Sequence, residues 1–539
     1  MPIAVVQTST HINRDVWREI LCYFRFSPNK NELEDGVHNH VEIKQRALLS
    51  VALTCLELAE LALDEIWRTM TTIEPVVKVF GGSFRFCPEG YWEVDMSPTG
   101  LDVLASRVQT YLKRIQYLHF QCFPSYKQLS MWQTLCSLMK VTVLCPNLRK
   151  LYLDLQDFTP TREPLLFPTI SASLEVISFI NVGEGSDTAV YAVLNVVRAH
   201  NVRLTEITYH GTLDHKRLRQ VLLFSSLRSM AVLPTEVRPA LLSGSELSRI
   251  TELQALRQVE LDMSSISGSA ESLLGQQLSN LPVLLTLILH GTPGEIENCI
   301  FNENTDESSA TGFPSLQYLL VKFKSQPQAL IRRKSLFSHI ASRFPKIHTL
   351  DIEKIGADGR DKTKEPPRLK SVLDLKPRLM KKIKIAGIPF DLDAEGVIAL
   401  LRAWPQLEDL SLHPPQSPGG YPAPVVLSYI CSHNSALRSL GLPLDLSVLR
   451  HPSITPLKTS QLVCPLMRLD LFETEPPSLT VKEKLDVVRN LLAYFPRLSV
   501  IRGPNTGSDM AADLQAMLTA FRDIIAFPPS RPDRLFRLP

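Results

Sequence analysis

The chain has 539 residues, 44% hydrophobic and 21% charged, with 58 Lys and Arg against 55 Asp and Glu for a net charge of +3. That balance excludes a general electrostatic attraction to nucleic acid or anionic membrane, so neither is expected as a partner. Nine cysteines without a C-x-x-C pair exclude a disulfide framework and a zinc ribbon, and no apolar run reaches membrane-spanning length. A soluble intracellular protein, of cytoplasm or nucleus, is therefore expected.

The first predicted element is a helix beginning near Asp15, with Asn13 as N-cap and Val16, Ile20, Leu21 and Phe24 along one face. A polar stretch from Ser27 to Gly36 separates it from a second helical run, Leu48 to Cys55, and a third, Leu58 to Trp67. The apolar positions outnumber what so short a unit buries within itself, which implies a partner surface. This order, Val-Trp-x-x-Ile-Leu, a loop, Ala-Leu-Thr-Cys and a closing Ala-Leu-Asp-x-x-Trp, resembles the F-box from about His11 to Arg68. It is most similar to the F-box proteins expanded in mushroom-forming (basidiomycete) fungi, which carry a leucine-rich C-terminal region. By the family's pattern, Ile12, Val16, Trp17, Ile20, Leu21, Phe24, Leu49, Val51 and Cys55 face the adaptor or form the F-box core.

Beyond a connecting segment the chain repeats. Seven prolines follow an apolar residue, at Cys145-Pro146, Leu281-Pro282, Phe313-Pro314, Phe344-Pro345, Trp404-Pro405, Cys464-Pro465 and Phe495-Pro496. Each precedes a loose Leu-x-x-Leu-x-Leu, as in Leu148, Leu151, Leu153 or Leu407, Leu410, Leu412. With the proline-free copies, fourteen such motifs begin between Ile115 and Leu498 at spacings of 23 to 33 residues, the period of a solenoid. Each pairs a period-two run, suited to a strand, with a run of helical spacing such as Val190, Val193, Leu194, Val197, which the proline stops. From Ile115 to Arg502 the chain resembles the leucine-rich repeat family in its long-period form. The expected fold is α/β: an N-terminal three-helix F-box-like unit (1–70), a connecting segment (71–110), and a leucine-rich-repeat solenoid with a parallel concave sheet, convex helices and a C-terminal cap (111–539). Polar stretches at 294–312, 356–367 and 414–424 exceed what a compact repeat turn needs and are expected as loops.

Enzyme signatures are absent. His38-Asn39-His40 has no further ligand at metal spacing, the glycines at 183–185 and 503–507 lack a P-loop lysine, and there is no nucleophile elbow or H-E-x-x-H. No catalysis, metal or cofactor is expected. The informative surface is the residue between the last two apolar positions of each repeat, which alternation turns onto the open sheet face. Tyr152, Glu260, Ile288, Leu320, Asp351, Lys384 and Asp470 are the candidate target-binding residues, with Ile288 and Leu320 an exposed apolar pair rimmed by Glu260 and Asp351. The resemblance to F-box proteins implies the substrate-recognition subunit of an SCF-type cullin-RING ubiquitin ligase, binding a Skp-family adaptor through the F-box and an unknown target through the repeats. A leucine-rich-repeat scaffold or binding protein with no ligase role is the alternative.

Overall fold

The structure, a computed structural model of the chain, describes residues 14–24, 38–54, 56–72, 74–79, 84–87, 92–94, 98–120, 126–155, 167–182, 186–211, 215–233, 248–266, 268–301, 312–325, 327, 335–355, 369–375, 379–388, 390, 393–413, 421–450, 464–472, 479–503 and 509–526. The chain divides into two compact units, Met1–Ala240 and Leu241–Pro539.

The first unit opens with three helices, α1 (Arg14–Cys22), α2 (His38–Thr54) and α3 (Leu56–Arg68). Their shared core is Leu21, Leu48, Leu58, Leu61 and Ala62, with Trp17, Phe24, Val51, Ala52 and Ile66 packed against it. Helix α3 passes without an intervening residue into strand β1 (Thr69–Met70), which pairs in parallel with β2 (Tyr117–Phe120). Arg114 locks the junction from the other side: it donates to the Glu60 carboxylate, the Asp64 carboxylate and, at 3.1 Å, the Glu60 carbonyl oxygen. Parallel strands β3 (Lys150–Asp154), β4 (Val176–Val182), β5 (Glu206–Gly211) and β6 (Ser229–Leu233) follow in chain order. Outside this sheet an antiparallel hairpin joins Phe84–Phe86 to Trp92–Val94.

Beside a separate short parallel pair, Tyr421–Pro422 with Leu444–Asp445, nine parallel strands of the main sheet follow the same plan in chain order among the described residues of the second unit. They are β7 (Gln258–Asp262), β8 (Thr286–Gly291), β9 (Tyr318–Phe323), β10 (Thr349–Lys354), β11 (Lys382–Ala386), β12 (Asp409–His413), β13 (Ser439–Leu442), β14 (Arg468–Leu471) and β15 (Val500–Arg502). In both units the three apolar positions of the motif form the core. Leu148, Leu151 and Leu153, Leu316, Leu319 and Val321, and Leu407, Leu410 and Leu412 are all exposed by 1% or less. Each such side chain contributes about 1.5–3 kcal/mol of burial, an upper figure because the unfolded chain already hides some of that surface. This is the α/β solenoid of leucine-rich units that the spacing implies. Its first strand, however, lies at Thr69, well before the first motif at Ile115.

The prolines have a second role besides ending helices. Trp404 N–H still bonds to Leu400 in the helix before it, at φ −130° and ψ 80°, the extended conformation that a following proline enforces. Pro405 then takes the second position of a turn in which Leu407 N–H donates to the Trp404 carbonyl at 3.1 Å. The same bond recurs from Leu148 to Cys145, Leu316 to Phe313, Ile347 to Phe344 and Leu498 to Phe495. Immediately afterwards two successive amides converge on one carbonyl of the preceding repeat. Thus Leu285 and Thr286 donate to Arg257 O, Gln317 and Tyr318 to Leu285 O, and His348 and Thr349 to Gln317 O. This backbone ladder sets the register of every following pair.

Two further features depart from or add to the sequence reading. The stretch expected as a loop at 294–312 opens as a helix, Pro293–Phe301, started by a reciprocal cap: Thr292 N–H donates to Glu295 Oε2 at 2.7 Å and Glu295 N–H to Thr292 Oγ1 at 3.4 Å. It packs on helix Gly268–Ser279 so closely that a Cβ on Gly275 would lie 1.7 Å from the Cys299 carbonyl oxygen. Residues 302–311, 356–367 and 414–420 lie outside the described residues, and 421–424 begin a short strand and a helix. After β15, helix Asp509–Ala526 brings Gln515 against the last strand. Ile501 N–H donates to Gln515 Oε1 at 2.5 Å, and Gln515 Nε2 donates to Ser499 O at 3.2 Å.

Candidate functional site

The N-terminal helices sort their apolar residues onto two sides. Trp17, Leu21, Phe24 and Val51 pack the three-helix core, whereas Val16, Ile20 and Leu49 are 51%, 39% and 49% exposed. Three residues that were not candidates from the sequence join the exposed set: Tyr23, Leu53 and Leu56, at 81%, 79% and 92%. Val16, Ile20 and Tyr23 stand at i, i+4 and i+7, and Leu49 and Leu53 at i and i+4, so each helix presents a stripe. Period alone signalled the stripes; which stripe faces inward is decided by how the helices pack. Ile12 and Cys55 lie outside the described residues, as do the side chains of His38 and His40.

On the sheet face the candidate residues fall in one register. Tyr152 pairs with Ser178 in the first unit, and in the second Glu260, Ile288, Leu320, Asp351 and Lys384 stand directly beside one another on successive strands. Asp470 continues that row through Gly441. Register and exposure are separate matters, however. Ile288 is only 9% exposed, because Glu260 beside it is 7% exposed and accepts a hydrogen bond from His290 Nε2 at 3.0 Å, with His290 two residues along the same strand face. Leu320 is half-buried. The exposed apolar pair expected from the sequence is therefore corrected to an adjacent but largely enclosed one. Tyr152 meets His119 edge-on at 5.6 Å, and burial, helped by Glu206 and Tyr117, pushes its hydroxyl up to about 12.

The open part of the second unit's face lies further along, where a groove of about 770 Å3 runs from Tyr318 to Arg502. It holds Asp351, Lys384 and Asp470 from the sequence candidates together with Lys382, Asp409, Arg468 and Arg502. Lys384 Nζ approaches Asp351 Oδ2 at 3.7 Å, and Arg468 grips Asp470 through two nitrogens at 2.8 and 2.9 Å. Burial raises Asp351 to about 6 against the pull of Lys384, and burial also raises Asp409 despite a Ser439 hydrogen bond. His413, packed on Phe472, is pushed down to about 4 by burial and then by Lys384 and Arg468, so it is neutral at pH 7. Asp409, Arg468 and His413 were missed because only one position per repeat was read. Residues two before and two after it share its face.

Among the described residues no group of three or more His, Cys, Asp or Glu is arranged to hold a metal ion, and no helix is long and apolar enough to cross a membrane. The thiols of Cys136 and Cys431 are pushed by burial to about 11 and about 12, which removes them as nucleophiles near neutral pH.

No protein-family model matches the chain, and no curated protein does. Among solved structures it is similar to the Rad7 and Elc1 complex of yeast, at 12% identity over 90% of this chain and 96% of that one, with a TM-score of 0.37. It is also similar to the TLR13–ssRNA13 complex, at 14% identity and a TM-score of 0.33, over 67% of this chain and half of that one. A third similarity is to LegL7, a leucine-rich repeat-containing protein from Legionella pneumophila, at 11% identity and a TM-score of 0.32, over 69% of this chain and 98% of that one. At these scores none of them bears on function.

Proposed function

We propose that the chain is the substrate-recognition subunit of an SCF-type cullin-RING ubiquitin ligase, its N-terminal helices an F-box that binds a Skp-family adaptor and its repeat face the receptor for a target protein. The observation that carries the reading is the exposed apolar set Val16, Ile20, Tyr23, Leu49, Leu53 and Leu56 on a three-helix unit that already has its own core. Surface of that kind on so small a unit is what a docking partner covers. The fusion of α3 to β1 and the Arg114 clamp tie the helices to the first repeats, which supports a single receptor chain in which the helical unit and those repeats move together.

In this reading the chain performs no chemistry and needs no cofactor. It raises the effective concentration of a target lysine beside the charged conjugating enzyme, so transfer becomes nearly intramolecular. Free thiols at Cys22, Cys136, Cys145, Cys299, Cys431 and Cys464 suit the reducing compartment in which such ligases work. The test is co-purification of the full chain with a purified Skp-family adaptor. Parent protein should retain the adaptor, and Ile20→Asp with Leu53→Asp should lose it while keeping its helical circular dichroism, because a carboxylate in a dry contact has no partner. A parent chain that fails to retain adaptor leaves the alternative, a leucine-rich-repeat binding protein outside any ligase.

A further inference from the structure

The groove on the second unit's sheet face contains three carboxylates and four cations, yet the two signs stand at different heights. The acids are recessed: the Asp351 and Asp470 side chains are 17% and 12% exposed, and Asp409 is partly buried. The bases protrude. Lys384 and Arg468 are 42% and 43% exposed, and Lys382 and Arg502 are exposed and form no salt bridge among the described residues, although Lys382 acts on Asp409 beside it. Burial is the main cause that lowers His413, and the charges that add to it are both positive, those of Lys384 and Arg468.

The floor between these side chains is low. Ser411 and Gly441 occupy adjacent places in the central row, and a Cβ on Gly441 would lie 2.8 Å from both the Ser411 hydroxyl and the Phe472 ring. The Phe472 ring and the Ser411 hydroxyl thus already cover that point, so the floor is flat and closed there and the charged side chains stand above it. Lys382 on β11 and Arg502 on β15 are four strand steps apart, about 19 Å at about 4.8 Å per step, which is the span of about six extended residues.

We propose that this groove takes an acidic segment of the target protein, rich in Asp and Glu, laid across β11 to β15 with its carboxylates against Lys382, Lys384 and Arg502. The proposal deepens the receptor reading and rests on it for the nature of the occupant. Recognition is then by complementary charge at the rim, with Arg468 held in place by Asp470 and the recessed acids discouraging basic segments.

The experiment pans a display library of random peptides, about twelve residues long, on the full chain and measures the enriched peptides by fluorescence anisotropy. Three proteins are compared: parent, the double reversal Lys382→Glu with Arg502→Glu, and Lys370→Glu, which reverses an exposed charge on the segment Leu369–Leu375 outside the groove. The enriched pool should carry an excess of Asp and Glu and bind less tightly as salt rises. Affinity should fall about 10-fold or more in the double reversal and less than about twofold in the control. No enrichment, a neutral or basic pool, or acidic peptides that bind the double reversal as tightly as the parent would overturn the proposal. Adaptor co-purification from the same preparations separates the two readings: its loss in the parent counts against the ligase role, and its retention beside a basic pool counts against the groove chemistry alone.

Discussion

Replacing Asp351 with Asn should stabilise the second unit at neutral pH, against the usual effect of removing half of an ion pair. Asp351 Oδ1 is buried with no hydrogen-bond partner, and Oδ2 meets Lys384 Nζ at 3.7 Å, too far for a short charge-assisted bond. Burial outweighs that attraction and lifts the carboxyl from 3.8 to about 6. Between those values the folded chain holds a proton that the unfolded chain has released, so stability falls as pH rises through the window, and the penalty is complete by pH 7. A rise of that size, at about 1.4 kcal/mol per tenfold in proton affinity, sets a ceiling near 3 kcal/mol, and the remaining solvent contact brings the expectation to about 2 kcal/mol. Urea unfolding of parent and Asp351→Asn at several pH values, with β10 and β11 followed by pulsed hydrogen exchange, measures the difference. It should be near zero at about pH 4 and grow to about 2 kcal/mol in favour of the variant by pH 7. A variant that is less stable at pH 7, or a difference that stays flat with pH, would refute the assignment of the shift to burial.

Leu21→Ala should destabilise the N-terminal helices by about 2–4 kcal/mol, since Leu21 is 1% exposed in their core, whereas Ile20→Ser at a 39% exposed site should stay within about 0.5 kcal/mol; equal effects in thermal melts would mean the two sides of α1 are misassigned. Gly275→Ala should lower the melting temperature of the second unit despite alanine's better helix propensity, because the added methyl must push helix Gly268–Ser279 off the Cys299 carbonyl at a loss of about 2 kcal/mol. An unchanged melt would show that the two helices separate freely. Thr480→Ala removes the cap whose hydroxyl and amide pair with Glu483 at the start of helix Val481–Tyr494, for a loss of about 1 kcal/mol and faster amide exchange in that first turn; exchange rates equal to the parent's would count against the cap.

The repeat was legible because a core imposes it: apolar motif residues at 0–3% exposure, recurring near thirty residues, leave a pattern no surface requirement disguises. Strand β1 left none, since two residues pinned between α3 and the backbone of Tyr117 and Leu118 need no motif of their own. Helix Pro293–Phe301 was legible and overlooked: Thr292-Pro293-Gly294-Glu295 is a capping box with proline in the first turn, but the glycine and the acidic run after it read as a loop. The row Glu260, Ile288, Leu320, Asp351 followed from alternation, yet its accessibility did not, because that depends on the height of neighbouring side chains. His290 bonds to Glu260 beside Ile288, while further along the face small residues at Ser411 and Gly441 lie under the Phe472 ring between taller charged side chains. Likewise α1 carries apolar residues on both sides, and only the packing of α2 and α3 tells Leu21 from Ile20.

The pairing of Gln515 with β15 has a consequence for the state of the protein in solution. A terminal strand offers its unpaired amides and carbonyls as a template for another chain, and parallel repeats are especially exposed to this because each strand already matches its neighbour's spacing. The carboxamide of Gln515 has the donor and acceptor of a peptide group, and at Ile501 and Ser499 it occupies the place that a following strand would take. One side chain thus counterfeits the next repeat. Replacing Gln515 would leave the Ile501 amide and the Ser499 carbonyl without this partner, a stretch of sheet edge of the kind that another strand can pair with.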